Sequence, residues 1–161
     1  TPFMAATTTS PAGKAIKGQR TGKKNVPEIM VAHNVPYVAT ACPSYPLDLL
    51  NKVEKARRTK GPAYIHIFSV CPTGWRAPSD ETIKLGRLAV ETGVFPLYEV
   101  ENGKYRITVE MPETRRPIKD YLKSQGRFRH LDPSDVAKVQ ALVDKEYRKL
   151  LHKVETSVPW S

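Results

Sequence analysis

The 161-residue chain contains few of the motifs that identify a catalytic site directly. It has two cysteines, Cys42 and Cys71, and no Cys-x-x-Cys pair. Its four histidines are scattered, and no two have the spacing of metal ligands on a helix. A Gly-x-Ser-x-Gly nucleophile motif and a phosphate-binding P-loop are also missing. Residue types alone therefore assemble neither a catalytic site nor a complete metal site.

Long hydrophobic runs are absent as well. No apolar stretch approaches the roughly 20 residues that span a bilayer. The N-terminus shows no basic segment followed by an apolar core, so no secretory signal is expected. The sequence therefore predicts a cytoplasmic protein without a membrane partner, in which both cysteines are reduced thiols.

The charge is strongly positive, at +10 with an isoelectric point of about 9.7. Neither zinc-finger spacing nor an interleaved aromatic pattern accompanies the basic residues, so a nucleic-acid partner is not expected. A solvated basic surface and an acidic protein partner both stay open. The basic residues are spread over Lys14, Lys17, Arg20, Lys23, Lys24, Arg57, Arg58, Lys60, Arg115, Arg116, Arg127 and Arg129.

The first half of the chain has the pattern of a βαβ unit. Residues 1–25 are polar and predict a loop, and residues 27–33 predict a short helix capped by Asn25. A short buried strand is expected at 37–41 and a helix at 44–58. The run 63–70 is apolar on both faces, as in the middle of a parallel sheet. The predicted helix carries apolar residues at spacings of three: Leu47, Leu50, Val53 and Ala56.

The second half predicts a hairpin and further helices. Residues 82–92 suggest a helix capped by Ser79. Asn102-Gly103 separates two alternating runs, 97–101 and 104–109, which is a strong signal for a β-hairpin. A short helix is expected at 117–124, and Asp132-Pro133 opens a long one. The apolar face of this long helix consists of Val136, Val139, Val143, Tyr147, Leu150, Leu151 and Val154.

Cys71 is the strongest candidate for chemistry. It ends the predicted strand 63–70, and in open α/β sheets ligands bind beyond the strand carboxyl ends. Pro72 and Gly74 predict a tight, irregular turn whose backbone N–H groups can face an anion. From the residues alone, Cys71 could be a metal or cluster ligand, a nucleophile or an inert strand terminus.

The remaining candidates are weaker. Iron–sulfur clusters normally take four thiolates, so further ligands would lie outside the chain or include Cys42. Cys42 is expected to be a small buried residue. His66 is expected to be packed and hydrogen-bonded, and His130 to lie at the surface.

Several runs of the sequence resemble the beta subunit of pyruvate:ferredoxin oxidoreductase. They follow one another in order and cover nearly the whole chain. The runs are 6–14 (ATTTSPAGK), 33–41 (HNVPYVATA), 61–66 (GPAYIH), 71–75 (CPTGW), 87–93 (RLAVETG), 97–103 (LYEVENG) and 126–131 (GRFRHL).

The resemblance implies a particular chemistry. Such enzymes decarboxylate a 2-oxoacid on thiamine diphosphate and pass electrons one at a time to [4Fe–4S] clusters. Coenzyme A takes the acyl group, and ferredoxin, a small acidic protein, takes the electrons. In the family, a Gly-Asp-Gly motif and a following Asn hold the diphosphate through Mg²⁺. Four cysteines hold the nearest cluster, and the fourth matches Cys71. The diphosphate motif and the other three cysteines, which precede Thr1 in the family pattern, are missing here, and Cys42 is not a carried-over ligand.

The expected fold is α/β: the C-terminal portion of a thiamine diphosphate-binding parallel-sheet domain (1–93), followed by a β-hairpin and C-terminal helices (94–161). Its parallel strands are expected to expose apolar faces that need missing chain or partners. The chain is interpreted as a truncation, an incomplete sequence or one piece of a split subunit.

The expected function is oxidation of pyruvate to acetyl-coenzyme A and CO₂, with other subunits and ferredoxin as partners. Lys23 and Lys24 are candidates for steering the acidic ferredoxin. Two alternatives remain: another 2-oxoacid as substrate (oxalate, an aryl or a branched oxoacid), or a non-catalytic assembly module.

Overall fold

A computed structural model describes residues 2–7, 9–13, 15–112 and 114–160 of the chain. Thr1 and two residues of the run 6–14, Thr8 and Lys14, lie outside the described residues, as do Glu113 and Ser161. The predictions that involve Thr8 and Lys14 therefore have no structural counterpart here.

The described residues form six α-helices, four β-strands and two 3₁₀ turns. The helices are α1 (Val26–Ala32), α2 (Pro46–Arg58), α3 (Pro72–Trp75), α4 (Thr82–Glu91), α5 (Ile118–Leu122) and α6 (Pro133–Thr156). The strands are β1 (Tyr37–Ala41), β2 (Ala63–Ile67), β3 (Leu97–Glu101) and β4 (Lys104–Val109), and the 3₁₀ turns are Ser79–Glu81 and Gly126–Phe128. No helix among the described residues combines the length and the apolar character needed to traverse a membrane.

The four strands make one mixed sheet in the order β2-β1-β3-β4. β1 and β2 are parallel and joined through α2, which confirms the βαβ unit and the α/β class. The hairpin β3–β4 extends the same sheet because β3 pairs antiparallel with β1. A division of the chain at residue 93 stays a prediction.

The hairpin turn forms at Asn102 and Gly103, as the sequence predicts. Asn102 and Gly103 both have positive φ, 46° and 85°, as the tight turn requires. Gly103 is needed for a second reason, because a Cβ there would lie 2.3 Å from the indole nitrogen of Trp160. The backbone N–H of Trp160 also donates to the carbonyl of Asn102 at 2.6 Å. The last described residues are thus fastened to the hairpin.

The two parallel strands differ in burial. β1 is buried along its whole length, as predicted. β2 is the edge strand among the described residues and ends at Ile67, three residues before the predicted end. Ile67 is exposed. The expectation of exposed apolar residues therefore holds for β2 and not for β1.

Helix α2 turns its polar side toward the sheet. Lys52 is only 1% exposed, whereas Leu47 and Leu50 are 76% and 63% exposed. Lys52 donates hydrogen bonds to the carbonyl of Thr40 on β1 and to the hydroxyl of Thr108 on β4, both at 2.7 Å. The apolar spacing in the sequence therefore predicted a helix correctly, but its apolar residues face outward.

The main core lies where α4, α5 and α6 meet. Its buried residues include Leu85, Leu88, Tyr121, Leu122, Phe128 and Val139. A second cluster joins the hairpin to α6 through Val38, Tyr98, Val100, Tyr105 and Leu150. On α6 the predicted apolar face is confirmed at Val139 and Leu150, while Leu151 is exposed.

Two of the three predicted helix caps are present in the structure. The side chain of Asn25 accepts from the backbone N–H of Glu28 at the start of α1. Asp132 and Asp135 form a capping box at the start of α6. Ser79, predicted to cap α4, instead begins a 3₁₀ turn without a side-chain cap bond.

Candidate functional site around Cys71

Cys71 lies beyond β2 rather than at its end. Phe68, Ser69 and Val70 separate it from the strand, and its side chain belongs to an exposed residue. The prediction that Cys71 ends the strand 63–70 is therefore wrong. The last residue of β2 that pairs with β1 is Ile67, and just beyond it the N–H of Phe68 donates to the Ala41 carbonyl at 2.8 Å.

The segment after Cys71 is a single helical turn, not the irregular turn that Pro72 and Gly74 suggested. The backbone N–H of Trp75 donates to the Cys71 carbonyl at 2.9 Å, and that of Ala77 donates to the Pro72 carbonyl at 3.0 Å. Arg76 ends the turn with a positive φ of 53°. The thiol is thus presented by a short, internally bonded element, here called the Cys71 turn (71–77).

Gly74 keeps space open beside the sulfur. A Cβ at position 74 would lie 3.2 Å from the Cys71 Sγ, closer than ordinary contact. An unobstructed, exposed sulfur suits a group that must approach it closely. This agrees with the role of a thiolate ligand, and it leaves a nucleophile equally possible on geometry alone.

Aromatic packing and one backbone bond hold the Cys71 turn in place. The ring of Trp75 packs against Phe68 with centroids 5.5 Å apart, and Phe68 packs against Phe95 at 4.8 Å. The N–H of Gly126 donates to the carbonyl of Arg76 at 3.1 Å. The runs 71–75 and 126–131, which are 50 residues apart in sequence, therefore meet in space.

Arg127 is buried beside this turn, with only 4% of the residue exposed. Its guanidinium lies 3.7 Å from the centroid of the Trp75 ring. It donates from Nε to the Gln125 side-chain oxygen at 2.8 Å and from Nη2 to the Tyr121 hydroxyl at 3.2 Å. Among the described residues no carboxylate lies within 4 Å of it.

Burial lowers the pKa of Arg127, while Tyr121 and the thiol of Cys71 oppose that shift. The guanidinium contacts the Cys71 turn through the ring of Trp75. Sequence reasoning treated Arg127 as one of many dispersed basic residues. Only its place in the matched run 126–131 set it apart, because nothing in the local pattern distinguishes a buried arginine from a solvated one.

Two further basic groups share this region. Lys23 is exposed as a residue, yet partial desolvation of its amine and the charge of Arg127 lower its pKa. The pKa of His66 is lowered by burial and then by the charge of Lys23. The His66 ring packs edge-on against Phe95 at 5.7 Å. Lys23 and Arg127 are therefore the cations of this region, and the lowered pKa of His66 favours its neutral form.

The expectations for the histidines need correction. Nδ1 of His66 is buried and makes no hydrogen bond with the described residues, so His66 is packed but not hydrogen-bonded there. His130 is half-buried rather than a surface residue, and its Nε2 also lacks a partner among them.

Cys42 occupies a different environment. It is 1% exposed and packs with Val90 and Leu97, which confirms the prediction of a small buried residue. Both cysteines are free thiols. Two open clefts lie elsewhere, one lined by residues such as Tyr37 and Lys55 and the other by residues such as Met4 and Asp135. Neither cleft includes Cys71.

The described residues contain no group of three or more His, Cys, Asp or Glu side chains able to hold a metal ion. They therefore offer no site that fits Mg²⁺ and the diphosphate of thiamine. For an iron–sulfur cluster they provide one exposed soft ligand, Cys71, of the four thiolates that such a cluster normally takes.

Comparison with known proteins shows that this α/β segment is similar to part of the pyruvate synthase and ketoisovalerate oxidoreductase subunits. No protein-family model matches the chain. Pyruvate synthase subunit PorB of Methanocaldococcus jannaschii is 53% identical over 150 residues, which cover 93% of this chain and 50% of that subunit. Ketoisovalerate oxidoreductase subunit VorB of Pyrococcus abyssi is 46% identical over 151 residues, covering 93% of this chain and 49% of that subunit.

PorB of Methanothermobacter marburgensis is likewise 53% identical, over 93% of this chain and 52% of that subunit. Over 93% of its length the chain is therefore similar to PorB and VorB subunits, which confirms the resemblance found in the sequence. The chain spans about half the length of the curated relatives it matches.

Proposed function

We propose that this chain is the C-terminal part of the thiamine diphosphate-binding subunit of a 2-oxoacid:ferredoxin oxidoreductase that converts pyruvate to acetyl-coenzyme A and CO₂. The observation that carries the proposal is the 53% identity to PorB over 93% of the chain. The proposal includes pyruvate and coenzyme A as substrates and thiamine diphosphate, Mg²⁺ and a [4Fe–4S] cluster as cofactors. It also includes ferredoxin as the electron acceptor and a cytoplasmic location.

A branched 2-oxoacid is the second candidate substrate. The 46% identity to VorB over the same share of the chain favours it, since that relative is named for ketoisovalerate. The two open clefts described above do not include Cys71.

Within this function, Cys71 supplies one thiolate to a [4Fe–4S] cluster, and the other cluster ligands come from outside this chain. The cluster, when bound, accepts electrons one at a time. The Cys71 turn holds the sulfur through its internal hydrogen bonds, and Gly74 leaves the sulfur accessible. Thiamine diphosphate and Mg²⁺ are held by residues that this chain does not contain.

The proposed activity is tested in the intact enzyme, that is, the complete subunit with its partners. Pyruvate and 3-methyl-2-oxobutanoate are each supplied with thiamine diphosphate, Mg²⁺, coenzyme A and a viologen dye. We expect dye reduction with a higher kcat/KM for pyruvate. A higher kcat/KM for the branched acid selects the second candidate, and no reduction with either acid refutes the assignment.

The role of Cys71 is tested by Cys71→Ser in the same enzyme. A serine hydroxyl is a harder and far less acidic ligand than a thiol, so we expect loss or alteration of one cluster. The measurements are iron per protomer and the low-temperature EPR spectrum of the reduced enzyme. Cys42→Ala is the matched control, because Cys42 is buried among apolar side chains, and it should keep all the iron. Wild-type iron and spectra in Cys71→Ser would exclude Cys71 as a ligand.

A further inference from the structure

The segments that meet at the Cys71 turn contain no acidic residue. They lie within 2–27, 63–79 and 121–131, and none of these stretches includes an Asp or a Glu, although the chain has 16 acidic residues. The carboxylates of Glu81 and Asp132, which flank two of the stretches, are already paired with lysines. The remaining cations around the turn therefore have no carboxylate in these stretches to pair with.

Four basic residues of these stretches form a cationic region, here called the basic surface. None of the four forms a salt bridge with any residue that the structure describes. Three of them are exposed, and the fourth, Arg127, is 4% exposed. An uncompensated cluster of cations creates a positive potential that attracts anionic groups. The basic surface consists of Lys23, Arg76, Arg127 and Arg129.

Backbone hydrogen bonds bring these residues together. The N–H of Gly126 donates to the carbonyl of Arg76 at 3.1 Å, which places Arg76 beside the segment that carries Arg127. The N–H of Ala6 donates to the carbonyl of Arg127 at 2.7 Å, so the N-terminal segment passes the same point. Partial burial lowers the pKa of Lys23, and the charge of Arg127 lowers it further, as expected for two neighbouring cations. The basic surface is therefore one region assembled from three parts of the chain.

Arg127 indicates which kind of anion completes the basic surface. Its guanidinium is almost fully buried, and its hydrogen-bond acceptors, Gln125 and Tyr121, are neutral. Buried cations in proteins are normally paired with an opposite charge, because an unpaired buried charge is costly. A carboxylate suits a guanidinium, since the two form short, charge-assisted hydrogen bonds. A nucleic acid suits it less, because the ring of Trp75 already packs against Arg127 and Phe68 and is only partly exposed for stacking on a base.

We infer that, in the complete subunit, the basic surface is covered by an acidic segment of the same polypeptide that lies outside these 161 residues, and that a carboxylate of this segment pairs with Arg127. The curated relatives have the length for such a segment, because about half of each lies outside the match. Arg127 is buried by the fold itself, so a permanently attached partner compensates its charge better than one that leaves, such as ferredoxin. A tethered segment also acts at a high effective concentration. The inference rests on the proposed function only in that this chain is part of a longer subunit.

A carbodiimide cross-linker tests the inference in the intact enzyme, because it joins an amine directly to a carboxylate in contact with it. Lys23 supplies one amine, and the Arg127→Lys variant supplies a second while keeping the positive charge. Peptide mass spectrometry identifies the carboxylates that are joined. We expect both amines to be joined to Asp or Glu residues of the same subunit outside the 161 residues. Lys60, an exposed lysine just before β2 and so at the end of that strand away from the Cys71 turn, is the control and should not be joined to that segment.

A charge-reversal pair provides the second measurement. Lys23→Glu combined with Arg129→Glu reverses two exposed cations of the basic surface and leaves the packed Arg127 in place. We expect the cross-linked segment to exchange its backbone amide hydrogens several-fold faster than in the wild type, because repulsion releases it. The matched control is Lys60→Glu with Arg148→Glu, which reverses two exposed cations outside the basic surface and should leave the exchange unchanged.

The inference is overturned by the absence of a cross-link at either amine, or by cross-links only within the 161 residues, to another subunit or to ferredoxin. Unchanged exchange in the double variant of Lys23 and Arg129 also overturns it, as does nucleic acid that co-purifies with the wild type and is lost in that variant. Failure of the proposed function is a separate observation, because it appears as an absence of dye reduction in an enzyme whose cross-links can still be mapped.

Discussion

At the scale of single residues, Lys52 shows how a charged side chain can organise an interior. Its ammonium donates to the Thr40 carbonyl at 2.7 Å, the Asp48 carboxylate at 2.6 Å and the Thr108 hydroxyl at 2.7 Å. All three of its protons therefore have partners. Burial lowers the pKa of Lys52, and the hydrogen bond that its ammonium donates to Asp48 opposes that shift. The ion pair with Asp48 keeps the buried charge compensated.

We expect Lys52→Met to lower the free energy of unfolding by about 3 kcal/mol, because it leaves the Asp48 carboxylate and the Thr40 carbonyl without their partner. Equilibrium urea unfolding followed by circular dichroism measures the change. Adding Asp48→Asn should recover part of the loss, since it removes the stranded charge. Lys60→Met, at an exposed position, is the control and should stay near the wild type. A loss in the Lys52 variant no larger than in this control would mean that the network contributes nothing.

At the scale of elements, most of the secondary structure could be predicted from local signals. The hairpin follows from Asn102-Gly103, and α6 follows from Asp132-Pro133. Such signals act within a few residues and need no knowledge of neighbours. They could not give the rotation of α2 or the early end of β2, because these depend on distant partners such as Thr108.

The structure around Cys71 also depends on distant contacts that local sequence signals do not reveal. Cys71 was singled out by its place after the predicted strand 63–70 and then by the matched run 71–75, but its distance from the strand and its place on a helical turn were not predicted. Arg127 was missed, because its burial results from contacts with Trp75 and Tyr121. A charged residue in a polar stretch is solvated in most proteins, so the sequence favoured a solvated side chain for Arg127 rather than a buried one.

The start of α6 makes a pH-dependent contribution that can be measured. Hydrogen bonds from Lys17 and from the backbone N–H of Asp135 lower the pKa of Asp132 to about 2. The unfolded value is near 3.9. The folded pKa is thus the lower one, so the stabilisation is complete above about pH 4 and is lost as the pH falls toward about 2.

Asp132→Asn keeps a good helix cap but removes this titration. We therefore expect the melting temperature of Asp132→Asn to fall less than that of the wild type between about pH 4 and about pH 2. Thermal melts across that range provide the measurement. Asp132→Ala should be less stable at every pH because it also loses the cap. Identical pH dependence in Asp132→Asn and the wild type would contradict the assignment.

At the scale of the whole molecule, the exposed apolar residues are the main feature. Leu47, Leu50 and Val53 line the outer side of α2, and Ile67 lies at the end of edge strand β2. Contiguous exposed apolar surface in a protein marks an interaction site or an aggregation liability. Relatives about twice as long as this chain are consistent with further polypeptide covering such a surface.

We expect the isolated 161-residue chain to bind the dye ANS and to self-associate. The double variant Leu47→Ser with Leu50→Ser should reduce both effects without loss of helix content, because these side chains contact solvent rather than the core. ANS fluorescence and analytical ultracentrifugation report the two effects. Val158→Ser is the control, since Val158 is equally exposed but lies outside α2. Unchanged dye binding in the double variant would show that α2 is not the responsible surface.

Lys52, the buried lysine of α2, also affects the direction in which the exposed apolar residues of that helix point. A helix held only by apolar contacts tolerates small rotations about its own axis, because hydrophobic attraction has no preferred direction. Lys52 permits one angular setting, since only there does its ammonium meet three oxygens at once. That setting decides the direction in which Leu47 and Leu50 point. A residue buried beneath the helix, out of reach of any binding partner, would in this way control whether that partner can dock.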